Sequence, residues 1–197
     1  MTLVKLIASV LLAGVLSFSM IACKSSNGGA DITNLNGIRS FLQSQGRPYQ
    51  KIYSAKVGET QTNVFFAWTV KSVTTLNTLV TFSGDEVVPI FQTETGEEYR
   101  FIIVSTTVKN TFERLLPVGN YDFYIVYEYK GKLVEDRSYD QFTAGMYPDD
   151  TTLAIGASVS GNVIFEAPRV VTTVYICYYE IFDNDSMGDT YIYEVKL

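Results

Sequence analysis

The sequence predicts an all-β fold in which two sheets pack as a sandwich or one sheet closes as a barrel. Its 14 tyrosines and 12 phenylalanines belong to residue types that are enriched in strands. Short runs of alternating apolar residues are separated by turn residues, and helical periodicity is rare. This spacing is typical of sandwiches and barrels, and about 140 patterned residues suit one domain with its own core.

Alternation defines the expected inner faces of the strands. Phe66, Trp68 and Val70 fall on one face at period two. Trp68 is therefore either a core anchor or an exposed stacking platform. Gly131 predicts a turn between two strands. The predicted strands, about seven to nine in number, cover residues 64–73, 79–82, 87–91, 101–109, 121–130, 133–137, 158–165, 170–181 and 191–197.

The N-terminal segment has the parts of a secretory signal. Lys5 precedes an apolar run, 6–22, which ends at a small residue before Cys23. The ending Met20-Ile21-Ala22-Cys23 resembles the lipobox of bacterial lipoproteins, in which the thiol carries a diacylglyceryl group. Two acyl chains give stable membrane attachment without a spanning segment. The alternatives are an ordinary cleaved signal and an uncut transmembrane anchor.

The predicted organisation has three parts. Residues 1–22 form the lipoprotein signal peptide, and residues 23–48 form the lipidated cysteine with a tether. Within that tether, 31–46 has near-helical apolar spacing, so it forms either a short helix or a disordered linker. Residues 49–197 form the β-sandwich domain. The protein is thus expected outside the cytoplasm, lipid-anchored on the cell membrane or in the envelope (periplasm or outer membrane if Gram-negative).

The charge balance excludes one class of partner. Removal of residues 1–22 takes away one lysine and no acid, which leaves a net charge of −7. Nucleic acid binding needs a basic face, and docking to anionic lipid needs a polybasic patch. We therefore expect no nucleic acid partner, and the contact with the membrane is expected through the lipid on Cys23.

The two cysteines have separate expected roles. Because the anchor uses Cys23, the sequence predicts no intramolecular disulfide, although the location is oxidising. Cys177 lies in the apolar run 170–181. It is interpreted as a small buried core residue, with a reactive or dimer-forming thiol as the alternative.

Catalytic chemistry is scarce in this sequence. The chain contains no histidine, which excludes Ser-His-Asp and Cys-His arrangements, histidine-ligated zinc and imidazole acid–base catalysis. Paired carboxylates at 85–86, 97–98 and 149–150 each lie at a turn. Solvation explains them, and a glycosidase pair is the alternative. We predict a protein that is not an enzyme and has no cofactor.

An acidic segment between two predicted strands is a candidate calcium loop. Its carboxylates are Asp183, Asp185 and Asp189, and the spacing partly matches a calcium-binding loop. Met187 breaks that pattern at position five, and a strand follows where the calcium hand has a helix. The alternative interpretation is an acidic hairpin loop.

Tyr124 is the candidate binding residue. The predicted strand 121–130 has one apolar face that includes Phe123, Ile125 and Tyr127, so alternation should expose the other face to solvent. Tyr124 would then be an exposed ring on a partner-facing surface, a role that suits tyrosine. The alternatives are an isolated surface aromatic and a ring packed under a loop.

Several phrases, in their order along the chain, resemble a known family. VGET at 57–60 comes before WTV at 68–70, and VKNT at 108–111 closes a hydrophobic strand. GASVSG at 156–161 then leads to VIFEAP at 163–168. These phrases resemble the domain-of-unknown-function family of bacterial surface lipoproteins labelled telomeric-repeat-binding-factor-like.

The resemblance covers roughly residues 57–197 and implies a fold. That fold is an immunoglobulin-like β-sandwich, akin to the mycobacterial immunoprotective extracellular protein. The family has no established catalytic residues to transfer to this chain. We therefore expect a membrane-anchored cell-envelope lipoprotein that acts as a non-catalytic binding or structural module for a protein, peptide or glycan. The alternatives are a small-ligand carrier, which needs an apolar cavity, and a hydrolase that uses carboxylates alone.

Overall fold

A computed structural model describes residues 35–44, 51–88, 96–140, 142–181 and 187–197. These residues contain one α-helix, α1 (Leu35–Ser44), and a 3₁₀ turn at Asn120–Asp122. The described strands are β1 (Ile52–Ala55), β2 (Thr60–Thr62), β3 (Phe66–Leu76), β4 (Leu79–Val80), β5 (Glu86–Val87), β6 (Tyr99–Asn110), β7 (Leu116–Val118), β8 (Phe123–Tyr129), β9 (Lys132–Arg137), β10 (Thr151–Leu153), β11 (Ser158–Pro168), β12 (Thr173–Ile181) and β13 (Met187–Lys196).

The strands form a two-layer β-sandwich, which confirms the predicted fold class. One layer is a five-stranded sheet of order β1-β13-β12-β8-β9, and the other is a four-stranded sheet of order β11-β6-β3-β2. Two short pairs, β4-β5 and β7-β10, accompany them. Nearly all pairings are antiparallel, but β1 runs parallel to β13. The two main sheets together contain nine strands, and the predicted number was about seven to nine.

The main hydrophobic core lies between the sheets and follows the predicted alternation. Phe66, Trp68 and Val70 of β3 are 2 % exposed or less. Ile102, Val104, Thr106 and Val108 share the matching face of β6 and are equally buried. The Trp68 Nε1–H donates to Thr106 Oγ1 at 2.7 Å, so the indole has a buried partner. Trp68 is a core anchor and not a stacking platform.

The turn between β8 and β9 is a tight two-residue hairpin. Tyr129 pairs with Lys132, and the two residues between them, Lys130 and Gly131, have φ of 51° and 73°. Positive φ at both central residues is the requirement of the type I′ turn, whose twist matches the flanking strands. The predicted turn at Gly131 is confirmed.

Some elements differ from the sequence prediction. Four short strands, β1, β2, β7 and β10, were not predicted, because three or four residues are too few to show an alternating pattern. The strand expected over 121–130 begins only at Phe123, since the residues before it form the 3₁₀ turn.

Helix α1 covers the outer face of the five-stranded sheet. Its Ile38 is fully buried in a cluster with Tyr124, Val126 and Cys177. Phe41, one turn further along, also packs on this cluster. The sequence predicted either a short helix or a disordered linker within 31–46. The structure has a helix over Leu35–Ser44, and this helix packs on the sheet.

The packing of α1 on the outer sheet face contradicts the prediction for Tyr124. The side chain is 4 % exposed, so it does not lie on a partner-facing surface. Its ring contacts the ring of Tyr179 at 4.6 Å, and the Arg137 guanidinium lies 5.4 Å from the ring centre. The alternation was read correctly, because Tyr124 does face away from the inner core. The error lay in taking the outer face to be solvent-exposed.

Several predictions fall outside the described residues. They are the signal peptide 1–22, the lipidated Cys23, and the carboxylates Asp183 and Asp185. Among the described residues, none of the helices has the length and hydropathy needed to cross a membrane.

Candidate functional site

An open groove of about 470 Å³ lies on the outer face of the five-stranded sheet. Strands β8, β12 and β13 form its floor, and the segment between β11 and β12 forms its wall. The groove continues the same sheet face that α1 covers, since Tyr175 belongs both to the groove lining and to the cluster beneath α1. Its other principal lining residues are Glu128, Val170, Thr172, Glu194 and Lys196.

Strand register brings the charged groups of the groove together. Thr173 pairs with Lys196, and Tyr175 pairs with Glu194 two residues along the same strands. Alternation then places Glu194 and Lys196 on the outer face with Tyr175. Glu128 supplies a second carboxylate from β8, while Val170 is 62 % exposed at the wall. This lining suits a polar, charged ligand and differs from the apolar cavity that a small-ligand carrier needs.

A second cluster lies where the edge strands of the two sheets adjoin. The backbone N–H of Tyr139, just after β9, donates to the carbonyl of Ile164 on β11 at 2.8 Å. Glu166 lies two residues further along β11 and is 8 % exposed. Its Oε1 is buried without a hydrogen-bond partner among the described residues. A buried unpaired acceptor costs about 1–3 kcal/mol.

Burial raises the pKa values of the acidic groups in this edge cluster, and it outweighs the hydrogen bonds that lower the pKa values of Asp136 and Glu166. Desolvation, followed by the negative charge of Asp136, raises the pKa of Glu166. Desolvation also raises the pKa of Asp136 itself. The phenol pKa values of Tyr127 and Tyr139 are raised by the same burial and by these carboxylates. The cluster therefore resists negative charge and favours either a proton or a cation.

The sequence pattern does not single out Asp136 and Glu166. They are far apart in the chain, and the charge of Asp136 acts on Glu166 because the edges of β9 and β11 adjoin. One signal was present: Glu166 is a charged residue inside the apolar run 163–168. Among the pairs that were identified, Glu97 accepts a hydrogen bond from Tyr129 at 2.5 Å, and Glu98 forms an ion pair with Arg169 at 2.7 Å.

Asp122, a half-buried carboxyl, closes the 3₁₀ turn. Its Oδ2 accepts the backbone N–H of Gly119 at 2.9 Å and the Tyr178 hydroxyl at 3.5 Å. Burial raises the pKa of Asp122 to about 6, although these hydrogen bonds lower it. Burial, followed by the charge on Asp122, raises the pKa of Tyr147. This carboxyl is a structural group within the core.

The polar network beside the predicted calcium loop is also internally bonded. Glu180, at the end of β12, accepts the hydroxyl of Tyr191 at 3.1 Å, the Nδ2–H of Asn63, and the backbone N–H of Asp189 at 2.9 Å. Asp189 Oδ1 accepts the backbone N–H of Lys51 at 3.1 Å. This hydrogen bond links Asp189 of β13 to the backbone just before β1. No group of three potential metal ligands occurs within the part of the chain that the structure describes.

Cys177 lies in the middle of β12 and is fully buried in the cluster under α1. A thiol that solvent does not reach is a core residue, as the sequence interpretation held, and a surface-reactive role is excluded by this burial.

No family model matches the chain, and no curated protein is similar to it. The family expected from the sequence phrases therefore stays a prediction.

Solved structures show distant similarity only. A candidate lipoprotein from Bacillus subtilis (ycdA) is 14 % identical over 72 % of this chain, with a TM-score of 0.49; the chain spans 39 % of that protein. An uncharacterized β-sandwich protein from Clostridium difficile is 17 % identical, with 76 % and 98 % of the two chains covered and a TM-score of 0.45. The secreted protein MPT63 from Mycobacterium tuberculosis is 10 % identical, with 70 % and 95 % covered and a TM-score of 0.45. Similarities at this level carry no argument about function.

Proposed function

We propose that this protein is a lipid-anchored module of the cell envelope that binds a ligand without catalysing a reaction. The N-terminal pattern that ends at Cys23 supports the anchor, and the location outside the cytoplasm follows from it. The lack of histidine supports a non-catalytic role. The described carboxyls with raised pKa values, Asp122, Asp136, Glu166 and Glu180, do not line the groove.

The proposed ligand is an extended, positively charged peptide segment of another envelope or extracellular protein. The observation that carries this proposal is the open groove, which places Glu128 and Glu194 over a floor of three strands. The net charge of −7 that remains after removal of residues 1–22 attracts a cationic partner over long range. Val170 at the wall offers an apolar contact, and Lys196 in the lining provides an anchor for an acidic group of the ligand.

Peptide display tests the groove directly. A random peptide library is panned against the chain from residue 24, and the affinities of selected peptides are measured by titration calorimetry. Glu128→Lys and Glu194→Lys should each lower the affinity for cationic peptides by about tenfold or more, since a charge-assisted contact becomes repulsive. Glu113→Lys is the matched control, because it makes the same charge change on an exposed loop residue.

Two outcomes would contradict the proposed ligand. One is equal weakening by the groove variants and the control, which would indicate only a general effect of net charge. The other is selection of peptides that bind a face other than the groove. If a glycan array instead showed a glycan that binds in the groove, the groove would remain the binding site and the ligand would be a glycan.

The anchor is tested separately by mass spectrometry of the mature protein. We expect a diacylglyceryl-modified Cys23 at the N-terminus, and Cys23→Ala should abolish labelling by radioactive fatty acid. Cys23→Ser is a close steric control that also lacks the thiol. An unmodified Cys23, or a chain that still begins at Met1, would overturn the anchor.

A further inference from the structure

The outer face of the four-stranded sheet has a covered half and an open half. In the covered half, Phe101 of β6 and Ile164 of β11 are buried in a cluster with Leu79 of β4 and Met146. The open half consists of β2 and the parts of β3, β6 and β11 level with it, and its outward side chains are exposed or half-buried. Solvent reaches this half of the face, so a ligand can approach it.

A row of four hydroxyls, one from each strand, crosses the open half. Thr60 of β2 pairs with Thr69 of β3, and Thr69 pairs with Thr107 of β6. Thr107 in turn pairs with Ser160 of β11. Oγ1 of Thr60 lies 2.7 Å from Oγ1 of Thr69, and Oγ1 of Thr107 lies 2.6 Å from Oγ of Ser160. This hydroxyl row spans three strand spacings, or about 14 Å.

A β-bulge turns a lysine onto the hydroxyl row. The register between β3 and β6 shifts between Val70 and Ser72, so Lys71 is the extra residue of the bulge. Its Nζ donates to Ser160 Oγ at 3.3 Å, and the side chain therefore reaches across β6 to β11. Bulges often re-aim a side chain beside a functional site.

A second lysine gives this surface a positive charge. Lys109 lies two residues after Thr107 on β6, so alternation places it on the same face, and it is exposed. The hydroxyl row and its two lysines include no carboxylate, although the chain has 21 acidic and 15 basic residues. The open half is therefore locally complementary to an anionic ligand, in contrast to the groove with its two glutamates.

The hydroxyl row also has hydrogen-bonding capacity left for a ligand. Two hydroxyls that bond to each other use one of their two hydrogens, so each pair of the row retains one hydrogen to donate. Lys71 can only donate, so Ser160 accepts its hydrogen bond. Hydroxyl donors beside two ammonium groups suit a ligand that carries both acidic groups and many oxygen acceptors.

We propose that the hydroxyl row, together with Lys71 and Lys109, is a binding site for an acidic polysaccharide chain. The sugar hydroxyls exchange hydrogen bonds with the row, and carboxylates of the polymer pair with the two ammonium groups. An open strand surface contacts an extended chain along its length. This site lies on the other sheet of the sandwich from the groove, and it does not depend on the proposed function.

The test measures binding of a fluorescently labelled galacturonate hexamer to the full chain in detergent micelles by fluorescence anisotropy. The control ligand is the methyl ester of the same hexamer, which keeps the sugar hydroxyls and lacks the charge. At 0.15 M salt the screening length is about 8 Å, so the remote acidic residues of the chain repel the ligand only weakly. The hexamer should bind, and the ester should bind at least about tenfold more weakly.

Lysine variants locate the site. Lys71→Gln and Lys109→Gln should each lower the affinity for the hexamer about tenfold, since each removes a charge-assisted contact. Lys132→Gln makes the same change on an exposed residue of β9, and Lys196→Gln removes the cation of the groove. Both controls should leave the affinity unchanged.

A hydroxyl variant separates the row from simple charge attraction. Thr107→Val keeps the branched shape and should lower the affinity about fivefold, as expected for one neutral hydrogen bond, whereas Thr107→Ser should preserve it. The proposal is overturned if the hexamer does not bind or if the ester binds equally well. Equal weakening by either control lysine variant, or tighter binding of inorganic polyphosphate of the same charge, would also overturn it.

Discussion

The two hydrophobic clusters that flank the five-stranded sheet are built in different ways. The inner cluster is filled from both sheets, with Trp68 and Phe123 in ring contact at 5.8 Å across the layers. The outer cluster is filled from the sheet on one side and from α1 on the other. Each strand of the sheet therefore contributes to two buried faces, although antiparallel sheets commonly expose one face to solvent.

The two clusters also differ in how they satisfy polar atoms. Inside, the Trp68 Nε1–H and the Tyr193 hydroxyl bond to buried groups of neighbouring strands. Outside, Tyr179 donates to Glu135 Oε2 at 2.9 Å, a carboxylate near the sheet edge. The outer cluster is thin and keeps its polar ends close to solvent. We conclude that the inner cluster defines the fold, while the outer one attaches the helix.

The largest expected effect is in the inner cluster. Trp68→Ala should lower the free energy of unfolding by about 3–5 kcal/mol, because a large aromatic is removed from a packed core. Denaturant unfolding measures the change, and Trp68→Phe should recover most of it. A loss below 1 kcal/mol would show that the inner cluster is not the principal core.

A smaller loss is expected in the outer cluster. Ile38→Ala should cost about 2–4 kcal/mol, since the side chain is fully buried under α1. Ser40→Ala, an exposed change on the same helix, should have little effect. Equal stability of the Ile38 variant and the wild type would mean that the helix does not dock, and Tyr124 would then be exposed.

The pH dependence of stability separates the clusters further, because Asp122 lies beside the inner one. Its pKa is raised to about 6 from the usual 3.8, so the folded state keeps a proton that the unfolded chain has lost. Stability should therefore fall as the pH rises from about 4 through 6, by roughly 3 kcal/mol. The raised pKa values of Glu166 and Glu180 act with the same sign.

Asp122→Asn should flatten this slope, as measured by urea unfolding at a series of pH values. Glu113→Gln, an exposed change, should leave the slope as it is. An unchanged slope in the Asp122 variant would mean that this carboxyl ionises normally in the folded protein.

The smallest effect is expected outside both clusters. Glu98→Gln removes the ion pair with Arg169, whose side chains are 56 % and 42 % exposed. Exposed ion pairs contribute about 0–1 kcal/mol, and salt screens them. Thermal unfolding at low and high salt should show a shift near the limit of measurement. A loss of several kcal/mol in the free energy of unfolding would show that this ion pair stabilises the protein far more than its exposure explains.

The sequence alone determined the elements whose signal is local. The alternation of Phe66, Trp68 and Val70 specified the inner face of β3, since the period of a strand is two residues wherever the strand lies. Gly131 specified the turn between β8 and β9 through its conformational freedom. The all-β class followed from many such signals repeated along the chain.

Only the tertiary structure decided what covers each outer face and which side chains meet. Tyr124 follows the alternation correctly, but whether it sees solvent depends on α1, which lies far from it in the chain. The charge of Asp136 acts on Glu166 because two sheet edges adjoin, and the groove brings together Glu128 and Glu194 from different strands of one face. Local patterns describe the two faces of a strand, whereas contacts between distant segments depend on how the whole chain packs.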